Sequence, residues 1–125
     1  MQKLIKNLFK DNIFIIAISL TTLIAYLSLM KMPETDIGFG NSDKLYHLFA
    51  YFSLTICWLF SFYKRRKLKY VVLFACIIYG IIIEALQESL TEYRTGDYKD
   101  VLANTLGSIL AYVVFVQILK KINVN

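Results

Sequence analysis

Histidine, tryptophan and proline occur once each in this chain of 125 residues, cysteine twice and glycine five times. The scarcities remove whole classes of explanation. Cys57 and Cys76 lie inside apolar runs, lack metal-ligand spacing and form no C-x-x-C, so no disulfide is expected and both read as small packing residues in helices. With His47 as the only histidine, a divalent metal would need mainly carboxylate ligands, and no metal or other cofactor is expected. G-x-S-x-G and H-E-x-x-H are absent, which removes two common hydrolase signatures. There is no internal repeat and no low-complexity segment. The net charge of +5 invites a nucleic-acid reading. The basic residues, however, cluster at segment ends instead of interleaving with aromatics on one face, so no nucleic acid is expected as a partner.

What the chain does have is apolar length. It is 58% hydrophobic, with a mean hydropathy of +0.55. A single water-soluble domain this small has too little interior to hide that much apolar surface. Lipid removes the difficulty. Four apolar runs, about residues 12–30, 45–63, 70–90 and 101–119, predict an all-α, four-helix transmembrane bundle forming one domain. As helices they reach about 28–32 Å, the thickness of the hydrocarbon layer. The first run follows Lys3, Lys6 and Lys10, as in a signal peptide, but it is long and no A-x-A-like site follows, so a retained span is expected. Its Ser19, Thr22 and Tyr26 have near-helical spacing and either face a neighbouring helix or bond within their own helix. Pro33, Gly38 and Gly40 punctuate the loop before the second run. That run leaves through Trp58, Phe60, Phe62 and Tyr63, a group suited to a membrane interface.

Charge sets the expected orientation. The N-terminus, the KRRKLK link at 64–69 and the C-terminus hold ten of the fourteen Lys and Arg residues and one acid, Asp11. The positive-inside rule then puts both termini in the cytoplasm. The strongly polar residues of the runs fall at the other, outer end. Asp43, His47 and Tyr51 share one face of the second run at i, i+4 and i+8. Glu84 lies roughly 9 Å below the outer end of the third run, with Gln87 and Glu88 above it on nearly the same face. Asn104 lies just inside the fourth, and Arg94, Asp97 and Asp100 fill the loop between the third and fourth. The inner halves of these runs are almost wholly apolar, which favours a pocket open outward over an ion pathway.

Ionisable side chains at such positions are costly and mark sites by default. Glu84 needs a cationic partner; Arg94, and after it Lys44, are the candidates. The bland alternative is a salt bridge tying the helix ends. His47 reads as general base, proton carrier or metal ligand, with Tyr51 and Asp43 placed to orient it, or as a hydrogen-bonded interfacial residue. Asp100 caps the fourth helix or serves the site. Asn104, Gly107, Ser108 and Ala111 form a small-residue face that lets helices approach closely.

These pieces together resemble the VanZ-like family of small bacterial membrane proteins. The resemblance is carried by Asp43, Lys44, His47 and Tyr51 in DKLYHLFAY, by Glu84 and Gln87 in EALQ, by Arg94, and by Asp100, Asn104 and Gly107 in DVLANTLG, over about residues 40–112. Ala111 departs from the pattern, where the family often has a second glycine. The resemblance implies a role in the bacterial cell envelope, at the plasma membrane. The family's founding member is associated with low-level resistance to the glycopeptide teicoplanin. Three functions stay open. In the first, Asp43, Lys44, His47, Tyr51, Glu84, Gln87, Arg94, Asp100 and Asn104 bind a membrane lipid, a cell-wall precursor or a lipoglycopeptide. In the second, an intramembrane enzyme uses His47, Glu84 and Asp100 as acid/base groups and Arg94 as an anion clamp. In the third, the cluster only locks the helices. A transporter fits least, since four spans are few and their inner halves lack polar residues.

Overall fold

The computed structural model of the chain describes residues 2–29, 42–65, 67–90 and 98–124. Among them are four α-helices and no strand: α1 (Gln2–Leu29), α2 (Ser42–Ser61), α3 (Leu68–Leu90) and α4 (Tyr98–Val124). The expected all-α class holds. The helices overrun the apolar segments, because a helix continues into polar sequence where nothing breaks it. α1 takes in the basic N-terminal residues, and α4 continues past Lys120 with Lys121 in its last turn, where a cation suits the helix dipole. α2 stops without glycine or proline. The amides just beyond its end, of Phe62 and Tyr63, fold back on the carbonyls of Leu59 and Phe60 at 3.3 and 3.4 Å, a tightened closing turn.

The four helices form a rhombus. α2 and α3 touch each other and both remaining helices, whereas α1 and α4 are not in contact among the described residues. α2 and α4 share the most extensive interface and run in the same direction. A small-residue seam allows it. A methyl group at Gly107 would collide with the Leu48 carbonyl oxygen and lie 3.1 Å from the Phe52 backbone nitrogen. Ala111, one turn on, is fully buried.

The outward surface is apolar: Ile15, Leu45, Phe49, Phe74, Ile82 and Leu102 are all exposed. A water-soluble bundle would hide such residues; lipid accepts them. Three segments are long and apolar enough to cross a membrane: Asn12–Leu29, Leu68–Ser89 and Lys99–Lys121. α2 is the exception. Lys44, His47 and two tyrosines in its first half lower its hydropathy. It packs against all three other helices, α4 most extensively, and Lys44 and His47 find partners on α4.

α1 docks through Ala17, Thr21, Ile24 and Ser28. Thr21 Oγ1 donates to the Ala17 carbonyl at 2.8 Å and accepts from Trp58 Nε1 at 2.9 Å, and the Tyr79 hydroxyl donates to the Thr21 carbonyl. Ser19, Thr22 and Tyr26 face outward instead, and Thr22 bonds the Ile18 carbonyl of its own helix at 3.1 Å. Trp58 is thus pinned to α1 and stacked on Phe62, with ring centroids 6.0 Å apart. Cys57 and Cys76 are buried free thiols.

Candidate functional site

α2 and α4 start at the same end of the bundle, where α3 finishes. Their facing sides carry a ladder of polar pairs. At its mouth Lys44 Nζ lies 3.4 Å from Asp100 Oδ1. One turn in, His47 Nδ1 lies 3.0 Å from Asn104 Oδ1. Deeper still, Thr55 Oγ1 donates to Ser108 Oγ at 2.8 Å. Polarity falls with depth, as the dielectric demands. The ion pair keeps some access to solvent, with the Lys44 and Asp100 side chains 30% and 11% exposed. Asn104, Thr55 and Ser108 are buried, and neutral groups need only a hydrogen bond there.

Of the two readings open for Asp100, the helix cap is not the one found. α4 begins at Tyr98, so Asp100 sits inside the first turn and reaches across to α2. Its Oδ2 lies 3.8 Å from His47 Nε2, so the imidazole stands between a carboxamide and a carboxylate, both supplied by α4. When Nδ1–H donates to Asn104, Nε2 is left facing Asp100. A proton there makes the contact an ion pair.

Tyr51 does not orient His47. It is 2% exposed, and its hydroxyl has no hydrogen-bond partner among the described residues. Its ring lies 6.1 Å from that of Tyr79. α3 forms the back wall of the ladder. Gly80 seats Tyr51 and Asn104, since a methyl there would lie 3.1 Å from the tyrosine ring and 3.3 Å from Asn104 Cβ. Glu84, one turn above Gly80, is buried. Gln87 is buried as well and donates to the Ser28 carbonyl at 2.8 Å, tying the end of α1 to the end of α3. Glu88 points outward, away from this face. Arg94, Asp97 and the Asp43 side chain lie outside the described residues.

Thus Lys44, His47, Asp100 and Asn104 come together, with Glu84, Tyr51 and Gln87 behind them. Among the described residues, no three His, Cys, Asp or Glu side chains gather as a metal ion would require. Two contributors escaped the sequence reading. Gly80, a lone glycine in a helix, costs about 1 kcal/mol against alanine and so signals a packing need. Thr55 lies one turn beyond Tyr51, continuing the same face.

The family model described as VanZ/LLP1 matches residues 3–120, which includes α2 and α3 and most of α1 and α4. The chain belongs to the VanZ/LLP1 family. The uncharacterized protein C11E3.10 of Schizosaccharomyces pombe is 34% identical over 104 residues, 82% of this chain. The chain spans 61% of the length of that relative. No solved structure matches this VanZ/LLP1 chain.

Proposed function

We propose that this VanZ/LLP1 chain is a four-span integral membrane protein of the bacterial plasma membrane with both termini in the cytoplasm. In this reading its outward-facing polar cluster binds the head of an amphiphile of the cell envelope. The carrying observation is the gathering of Lys44, Asp100, His47 and Asn104 at one end of the bundle, partly open at Lys44 and closed at Asn104. A cation, a carboxylate and an imidazole there can hold a phosphate, a sugar hydroxyl or a peptide carboxylate. Leu45, Tyr46 and Phe49, on the exposed face of the same two turns of α2, offer an apolar strip for the ligand's chain. A lipid-linked wall precursor and a lipoglycopeptide such as teicoplanin both have this two-part chemistry. Binding of either is the proposed route to glycopeptide resistance. A relative in a yeast favours recognition of the lipid-bearing part over a peptide found only in bacterial walls.

One observation favours a second reading. His47 with Asn104 and Thr55 with Ser108 are interhelical bonds of the kind that hold membrane helices together. The cluster then serves as a lock. The test compares wild type with His47→Ala and Glu84→Gln in a host lacking the protein. Membrane abundance is read beside susceptibility to teicoplanin and to a glycopeptide without a lipid chain. Binding predicts retained abundance and lost protection against teicoplanin. Parallel loss of abundance and protection supports the lock, and a wild type that protects against neither drug removes the resistance reading.

A further inference from the structure

The opposite end of the bundle holds a second feature, independent of the polar ladder. A groove of about 660 Å³ lies where α2 gives way to the basic link, beside the start of the apolar part of α1. Phe14, Ile15 and Phe62 form one wall, and Lys64 and Arg65 stand at its rim. The volume falls within the roughly 300–1,000 Å³ of ligand sites. We infer that this groove binds one anionic phospholipid, its phosphate held by Lys64 and Arg65 and part of an acyl chain lying along Phe14, Ile15 and Phe62.

Three features carry the assignment. The first is charge: Lys64 and Arg65 are exposed side chains on consecutive residues, directly beside an apolar wall. An ammonium and a guanidinium fork together suit a head of net negative charge better than a zwitterionic one, whose own cation offsets its phosphate. The second is that the rim is built. Arg65 N donates to the Phe62 carbonyl at 3.1 Å and Leu68 N to the Arg65 carbonyl at 3.0 Å, so both faces of the Arg65 backbone are held in turns. The third is depth. Ile15 is 61% exposed and Phe14 39%, an apolar surface adjoining the last turn of a helix that ends at Ser61. Apolar wall and basic rim therefore meet at the membrane boundary, where a phospholipid changes from chain to head. Lys69, by contrast, lies over the Tyr70 ring at 5.2 Å and is occupied there.

The protein carries its own reporter. Trp58 is its only tryptophan. Its ring meets Phe14 edge-on at 5.6 Å and stacks on Phe62 at 6.0 Å, and both rings line the groove. The experiment reconstitutes the full chain in phosphatidylcholine vesicles and titrates in phosphatidylglycerol with brominated chains, which quenches tryptophan on contact. Brominated phosphatidylcholine is the reference. Wild type should be quenched preferentially by the anionic lipid, with a relative affinity several-fold above unity. Each of Lys64→Gln and Arg65→Gln should lower that preference by up to about fivefold, and the double variant should approach unity. Lys120→Gln with Lys121→Gln, which changes charge at the same end outside the groove, should keep it. Equal quenching of wild type by both lipids overturns the site. So does an equal loss of preference in the Lys120/Lys121 variant, because bulk surface charge is then what the lipid feels. Suppression of the preference by millimolar glycerol phosphate makes a free phosphate, not a lipid, the ligand and also overturns it. An unchanged Trp58 emission maximum in every variant shows that the fold is intact.

Discussion

Gly107 shows how a single residue sets the site. Its missing side chain lets α4 lie against the α2 backbone at Leu48 and Phe52. That closeness brings Asn104 within 3.0 Å of His47 and Ser108 within 2.8 Å of Thr55. Replacing Gly107 with alanine gains about 1 kcal/mol of helix propensity, but the new methyl meets backbone atoms that no rotamer change can move. Overpacking of this kind costs about 1–3 kcal/mol, so the clash should win. Gly107→Ala should therefore lower stability by up to about 2 kcal/mol, read as Trp58 fluorescence during unfolding in detergent; a variant more stable than wild type refutes the close approach. The small-residue face was legible from Asn104, Gly107, Ser108 and Ala111. The pairing of Ser108 with Thr55 was not, because the register between two parallel helices depends on contacts far apart in the chain.

At the scale of elements, α2 is the anomaly. Its first half carries Lys44, His47 and two tyrosines, and it packs against all three other helices. Both facts have one cause. A helix carrying Lys44 and His47 loses less by contacting protein than by contacting lipid, because protein supplies Asp100 and Asn104. As an isolated guest segment, α2 should insert into membranes less efficiently than α3. Lys44→Leu should raise its insertion, by less than the roughly 2.5–3.5 kcal/mol that a lysine costs at a helix centre, since Lys44 lies near the helix end. Insertion of α2 equal to that of α3 would show that its polarity carries no such penalty. The way α1 docks was less legible. The spacing of Ser19, Thr22 and Tyr26 was open to two readings; all three face outward and Thr22 bonds within its own helix, because the docking face is set by where Trp58, Tyr79 and Gln87 reach.

For the whole molecule, the two ends differ in chemistry: a polar ladder with acids at one, a basic link and apolar groove at the other. The proposed orientation puts the basic end in the cytoplasm. Lys67, Lys99 and Lys121 are exposed, and the native Cys57 and Cys76 are buried, so the thiol background should be low. In intact cells, a membrane-impermeant maleimide should label Lys99→Cys and should reach Lys67→Cys and Lys121→Cys only after permeabilisation. The opposite pattern would invert the proposed topology and point the polar cluster inward.

The sequence by itself determined the all-α class, the apolar segments and the family, because long apolar runs and the spacing of polar residues within them are local properties. It also placed Lys44, His47, Asp100 and Asn104 near one end, since position along a helix translates into depth. Only the tertiary structure decided which of them meet. Asp100 reaches Lys44 and His47 because α4 starts at Tyr98 and lies parallel to α2, and Glu88 points away although it neighbours Gln87 in the chain. Such facing depends on helix rotation and register, which are fixed by long-range contacts at Gly80 and Gly107 that no local pattern contains.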